Sequence, residues 1–365
     1  MHNALLVILA FIFFPVSATA EDVLFNVEQR VRQLSQPEYA EARRYCRADN
    51  VKWEEKLPKP IPGLRSTEGY GSDNRAAKLS WYAMIQASRA MAGDRKARKN
   101  LIEGLLTWAH AEALTKGDHA HDTYYALKRY MLPVIISLSV VDKDMTDEQR
   151  NVIIKWIDRI VPPLDKKFDG DVDHNNHRYL ADSVLMAWGA YKNDAQLYNI
   201  GVRGFKKALR DARPDGSLPL ETRRGSRATW YIRHALSSLV TIAEIDRTRG
   251  GNLYRLEING KSLATIVNYY ISASSAPLLI LSEASQNYIP GPNSNYLEQD
   301  KDYMRRRGHD RHYMAFAEAY IHQPTLAAKR LNLMMKQETG WKQRPYIDEY
   351  VGGNASCFYW QPEKS

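Results

Sequence analysis

The sequence predicts an all-α fold, and three observations carry that reading. Apolar residues recur at steps of three and four along most of the chain, convincing alternating strands are scarce, and no linker is rich enough in Pro, Gly or Ser to mark a second domain. Helical hairpins stacked into an α/α barrel would bury these apolar faces, and so would an irregular bundle; periodicity does not choose between them. No clean repeat at a fixed period points to a regular solenoid.

From the amino end, residues 1–20, "MHNALLVILAFIFFPVSATA", hold a short apolar core ending in the small residues Ala18 and Ala20 at the −3 and −1 positions of a cleavage site. This reads as a secretory signal peptide, with the remaining residues 21–365 as one domain of about 345 residues. The apolar run is too short for a spanning helix, and no later segment is long and apolar enough to be one. The expectation is an exported protein, periplasmic or secreted, without stable membrane insertion.

Residues 57–73, "LPKPIPGLRSTEGYGSD", form the longest turn-rich stretch and read as an exposed loop. Helices are expected over 77–92, 99–115 and 123–140. The next begins with Thr146 and Gln149 at capping-box spacing, carries Ile153, Trp156, Ile157 and Ile160 on one face, and stops at Pro162-Pro163. Leu180, Val184, Leu185 and Trp188 repeat the pattern, as do Leu197, Val202, Phe205 and Leu209, then Leu236, Leu239, Val240 and Ala243. The short strand candidates are "YRLEI" (254–258) and "PLLIL" (277–281).

The two cysteines, Cys46 and Cys357, lie near opposite ends of the chain, and in an oxidising compartment they can form one disulfide tying those ends together. Their number excludes a disulfide framework and a four-cysteine zinc site. The net charge of +9 suggests a polyanionic partner: nucleic acid, anionic lipid or acidic polysaccharide. The charge is spread, with clusters at 95–99, 223–227 and 305–311, and such clusters are commonly solvated helix faces.

Two segments carry candidate chemistry. In "DGDVDHNNHRYL" (169–180), Asp169, Asp171 and Asp173 alternate like a calcium loop, but the sixth position is His174 rather than Gly and the twelfth is Leu180 rather than Glu. That match fails. His174 and His177, with the similar pair His309 and His312, leave zinc as a minor alternative. In "DGSLPLETRRGSRATWYIRHAL" (215–236), a helix starting near Glu221 would set Arg224, Arg227, Tyr231 and His234 on one face. A phenol flanked by guanidinium groups has its phenolate favoured, which suits proton transfer. An arginine there can also neutralise a substrate carboxylate.

The sequences "NNHRYL" and "DGSLPLETRRGSRATWY" together resemble polysaccharide lyase family 5, the alginate lyases that cleave poly-mannuronate. The 54 residues from His177 to Tyr231 and the 7 from Arg224 to Tyr231 match that family's spacing. Weaker similarity lies in "GYGSDNRAAKL" (69–79), like the family's lid-loop segment, and in "VGGNAS" (351–356). The resemblance implies an α/α barrel, an incomplete α/α toroid with a deep cleft and a lid loop. It implies a β-elimination that needs no cofactor and no metal, acting on an anionic polysaccharide, with no nucleic-acid partner and a monomeric protein. Carried over by residue, Asn176 and Arg224 neutralise the substrate carboxylate, His177 acts as base and Tyr231 as acid; in some accounts of the family the tyrosine plays both parts. Arg223, Arg227, Tyr179, Arg65 and Tyr70 are candidate substrate contacts. Two positions depart from the family: Leu180 stands where a tryptophan is usual, and Ile232 where a histidine follows the tyrosine. The departures leave the sugar open among mannuronate, glucuronate and hyaluronan-like chains. Two further readings compete, a non-catalytic periplasmic binder of anionic polysaccharide and a zinc-dependent hydrolase. A product-free complex stable for hours would favour the first, and inhibition by a chelator the second.

Overall fold

A computed structural model describes residues 22–53, 56–65, 76–118, 120–170, 173–287, 293–305 and 311–362. The signal-peptide expectation and Tyr70 fall outside them. The helices run, in order, α1 (Val27–Leu34), α2 (Ala40–Arg47), α3 (Ala77–Met91), α4 (Arg95–His110), α5 (His121–Val141), α6 (Asp147–Asp158), α7 (Leu164–Lys167) and α8 (Asn176–Lys192). They continue as α9 (Ala195–Asp211), α10 (Pro219–Thr222), α11 (Ala228–Thr248), α12 (Leu263–Ser275), α13 (Leu278–Ala284), α14 (Phe316–Tyr320), α15 (Leu326–Glu338) and α16 (Ala355–Tyr359). Among the described residues the only strands are β1 (Ile347–Asp348) and β2 (Gly353–Asn354), paired antiparallel.

A helix that is buried on all sides belongs in the middle of a fold, whereas one with a single apolar stripe lies outside. Helices α3, α5, α8 and α11 are of the first kind, burying even polar residues such as Ser80, Gln86, Lys128, Asp182 and Thr241. They pack side by side in that order. Helices α4, α6 and α9 bury one stripe each; α4, α9 and α12 back α3, α8 and α11 as outer partners, and α6 packs on α4. The result is the expected all-α architecture of inner and outer helices in an arc, an incomplete toroid.

Local chemistry explains the helix ends. The capping box of α6 forms as expected: Gln149 N–H donates to Thr146 Oγ1 at 3.2 Å, and Thr146 N–H to Gln149 Oε1 at 3.0 Å. Asp94 caps α4, so that helix starts four residues before the expected 99. Helix α11 starts at Ala228 rather than near Glu221. The cause is Gly225, whose φ of 59° interrupts the helix and whose missing side chain leaves room for Asn287 Oδ1. The "PLLIL" segment is helical, α13, not a strand. "YRLEI" makes a 3-10 turn at Leu253–Arg255 and an isolated bridge between Ile258 and Lys261.

The carboxyl-terminal segment fills the inside of the arc. The β1–β2 hairpin and its Glu349–Val351 turn touch α3, α5 and α11, and α16 packs on α2. Glu349 is buried there, bonded to Arg129 and Arg311 at 2.8 Å each. Burial pushes its carboxyl up, but the two guanidiniums prevail and hold it below its ordinary range. Cys46 and Cys357 are joined in a disulfide between α2 and α16. Among the described residues no single helix is long and apolar enough to cross a membrane.

Candidate active site

The amino-terminal ends of α5, α8 and α11 meet, and the site is built from what those ends expose. Helix α8 starts where Asn175 turns its side chain to accept the His177 N–H at 2.8 Å. The next free N–H, that of Asn176, donates to Glu221 Oε1 at 2.5 Å, which places a carboxylate at the positive end of the helix. Burial raises the Glu221 carboxyl to about 7, against the opposing pull of Arg224, the Asn176 N–H and Arg223. Lys128, fully buried on α5, donates from Nζ to the His177 carbonyl at 2.9 Å and sits 3.4 Å above the Phe168 ring. Two adjacent residues, Asn176 and His177, are thus held by side chains from three different parts of the chain.

The His177 ring lies among aromatic neighbours, with Tyr125 at 4.9 Å, His121 at 5.8 Å and Phe168 at 6.2 Å between ring centres. Burial first, then the charges of Lys128, Arg224 and His121, pull its pKa well below the ordinary imidazole range. His177 is therefore a neutral imidazole at neutral pH. Opposite, Tyr231 stands in the first turn of α11, packed edge-on against Trp230 with ring centres 4.8 Å apart. Arg224 lies 4.3 Å over the Tyr231 ring, and its Nε donates to the Leu220 carbonyl at 2.9 Å, which pins the guanidinium in place. One turn beyond Tyr231, His234 meets the side-chain amide of Asn176 at 2.8 Å. Its ring is 4.0 Å from that of Tyr350, whose hydroxyl bonds the Tyr125 hydroxyl at 3.0 Å.

The structure brings together Asn176, His177, Arg224 and Tyr231. The α11 helix that carries Tyr231 also holds Asn176 through His234, and the Arg224 charge acts at both Tyr231 and His177. Four buried polar atoms in this small region have no hydrogen-bond partner among the described residues: Asn176 Oδ1, His177 Nδ1, Glu221 Oε2 and His234 Nε2. Buried polar groups are paired almost everywhere in native proteins, and these four atoms are available to a polar ligand.

Arg223 is partly exposed beside Arg224, and its charge acts on Glu221. Arg227 is partly exposed at the start of α11. Tyr179 is buried; its hydroxyl donates to the His174 carbonyl at 3.4 Å, and it lines a cavity of about 330 Å³ between α8, α9 and the 218–221 turn. Arg65 is exposed at the end of a short backbone ladder joining 61–64 to 114–118. Leu180 and Ile232, the two departures from the family pattern, are fully enclosed in the core. Among the described residues no group of three or more His, Cys, Asp or Glu is placed to hold a metal, and His309 of the second histidine pair lies outside them. Sequence reasoning missed Glu221, Tyr125, Tyr350 and Lys128 as parts of the site.

Known proteins resemble this chain in sequence and fold. A family model described as alginate lyase matches residues 35–278. A polysaccharide lyase of Stenotrophomonas maltophilia (strain K279a) is 30% identical over 167 residues, 44% of this chain and 50% of that protein. An alginate lyase of Cobetia marina is 28% identical over 188 residues, 48% of this chain and 50% of that protein. The chain thus spans about half the length of these curated relatives in the matched regions. Among solved structures, alginate lyase A1-III from Sphingomonas species A1 superposes with a TM-score of 0.75 over 94% of this chain and 98% of that one, at 20% identity. At that identity the likeness is one of fold.

Proposed function

The chain belongs to the alginate lyase family, and from that premise we propose that it is a polysaccharide lyase that cleaves an anionic polyuronate by β-elimination, leaving 4,5-unsaturated ends. Mannuronan is the leading substrate, with polyglucuronate and hyaluronan-like chains behind it. The observation that carries the reading is the juxtaposition of Asn176 and His177 with Arg224 and Tyr231, among buried polar atoms that lack partners.

The chemistry needs such a set. The C5 proton of a uronate is weakly acidic, because the carboxylate beside it resists a second negative charge. Arg224 and Asn176 donate to that carboxylate and stabilise the enolate as it forms, an effect worth ~3 kcal/mol per donor. His177, held neutral by burial, has a lone pair for the C5 proton; Tyr231 gives its proton to the departing C4 oxygen. Each transfer contributes ~10²–10⁴ in rate. In the free protein the imidazole is a weak base. The carboxylates of a bound polyuronate offset the cations around it, so His177 gains basicity when substrate arrives. Binding and activation are then one event.

A pure binder has no use for a proton-transfer pair, and no observation favours that reading. Residues 1–20 together with the Cys46–Cys357 disulfide support export to an oxidising compartment, and we propose a monomer acting there. The test is to incubate purified protein with a panel of polyuronates and follow the ultraviolet absorbance of the unsaturated ends. Growth of absorbance on mannuronan supports the proposal, and silence on the whole panel overturns it.

A further inference from the structure

Asn176 and His234 form a buried pair in which one hydrogen decides the polarity of the site. The side-chain nitrogen of Asn176 lies 2.8 Å from His234 Nδ1, and neither residue is more than 1% exposed. An amide's oxygen and nitrogen are told apart by the bonds around them, and a neutral imidazole carries its proton on one nitrogen only. His234 is neutral: burial first, then the charges of Arg233, His177, Lys128 and Arg129, pull it well below the ordinary imidazole range.

Two arrangements satisfy the contact. With the proton on Nε2, the amide nitrogen donates to Nδ1, and both the Nε2–H and the Asn176 oxygen are left without partners. With the proton on Nδ1, the imidazole donates to the Asn176 oxygen, and the Nε2 lone pair and the Asn176 NH₂ are left without partners. Each arrangement leaves buried N–H groups without acceptors, so the hydrogen-bond count does not choose between them and the charge of the ligand does. The second arrangement turns the Asn176 NH₂ to the side where the oxygen stood, with both protons free to meet an anion. The first would present an oxygen lone pair to a substrate carboxylate, which repels it.

We infer that His234 is a positioning residue: its Nδ1–H tautomer, with the ring clamped by Tyr350 and Trp230, locks the Asn176 amide so that NH₂ faces the substrate carboxylate. The clamp is visible as ring-centre separations of 4.0 Å to Tyr350 and 5.5 Å, edge-on, to Trp230. The inference rests on the elimination reading, which supplies the anion that the Asn176 NH₂ meets.

Two measurements test it. Nitrogen-15 NMR of protein labelled at histidine reads the tautomer of His234 directly, with His234→Phe assigning the signal. A protonated Nδ1 is expected; a protonated Nε2, or a charged ring at neutral pH, overturns the inference. In turnover, His234→Phe keeps the ring stack on Tyr350 and loses the hydrogen bond. It is expected to lower kcat roughly 10- to 100-fold with little change in melting temperature, since one charge-stabilising donor is worth ~10²–10³. His234→Asn, which returns an amide N–H near the Nδ1 position, is expected to recover most of that loss. Wild-type rates in His234→Phe, or no recovery in His234→Asn, would overturn the positioning role. A wild-type protein inactive on every polyuronate would remove the elimination reading while the tautomer measurement still decided the lock.

Discussion

The Arg224 guanidinium lies 4.3 Å from the centre of the Tyr231 ring, fixed there by its bond to the Leu220 carbonyl. The planar cation can stack on the phenol with one face while its edge donates to a carboxylate, two roles that a lysine cannot combine. Arg224→Lys is therefore expected to lower kcat/KM ~10²-fold despite keeping the charge, and Arg224→Ala at least as much. Near-normal turnover in Arg224→Lys would show that only the charge matters.

The proposed elimination gives proton transfer to His177 and Tyr231. Tyr231→Phe and His177→Ala should each lose at least ~100-fold in kcat, the low end for removing an acid or base. Both are partly exposed, so neither change opens a large core cavity, and melting temperatures should move little. Wild-type activity in both would show the chemistry to be misassigned.

The pH profile follows from the environment of His177. Its folded pKa lies well below 6.5, so the neutral, proton-accepting form persists into mild acid. The acid limb that His177 contributes to kcat/KM should fall below pH 6.5, and the corresponding limb in kcat should lie at higher pH, because bound carboxylates raise the imidazole pKa. Absence of the limb in His177→Ala assigns it. Limbs at the same pH would mean that substrate does not change the imidazole's surroundings.

The helices were legible because their apolar period is strong, and the Thr146–Gln149 cap because both partners sit three residues apart. Short apolar runs were not: "PLLIL" has too few residues for its period to separate helix from strand. The start of α11 was hidden by Gly225, whose positive φ has no signature beyond the residue itself. That Asn176, His177, Arg224 and Tyr231 lie together was legible through the family resemblance of their motifs, while the contacts that hold them were not. Glu221 reaches Asn176 across 45 residues, His234 across 58, and Tyr350 reaches Tyr125 across 225. Such contacts are set by how inner helices face one another, and no local pattern encodes them.

The Cys46–Cys357 bond closes a loop of 311 residues and ties α2 to α16, which in turn holds the hairpin inside the arc. In the chain-entropy picture, a loop of that length stabilises the fold by roughly 5 kcal/mol. Replacing both cysteines by serine should lower the melting temperature by ~10 °C. Unfolding scans with and without reductant check this: reductant should destabilise the native protein and leave the double variant unchanged.

Glu221 gives a stability prediction whose sign is opposite to that of an ordinary paired carboxylate. Its folded pKa of about 7 exceeds the ordinary value of 4.5, so between these limits the native state holds a proton that the unfolded chain has released. The unfolded state then binds fewer protons, and this group's contribution to stability is full below pH 4.5 and is lost as pH rises through 7. Glutamine keeps an oxygen for the Asn176 N–H and never ionises. Relative to wild type, Glu221→Gln should therefore gain stability as pH rises from 5 to 8, by on the order of 3 kcal/mol. Urea unfolding of both proteins across that range measures it, and a difference that stays flat with pH would show that Glu221 is ionised throughout, held by Arg224 and the end of α8.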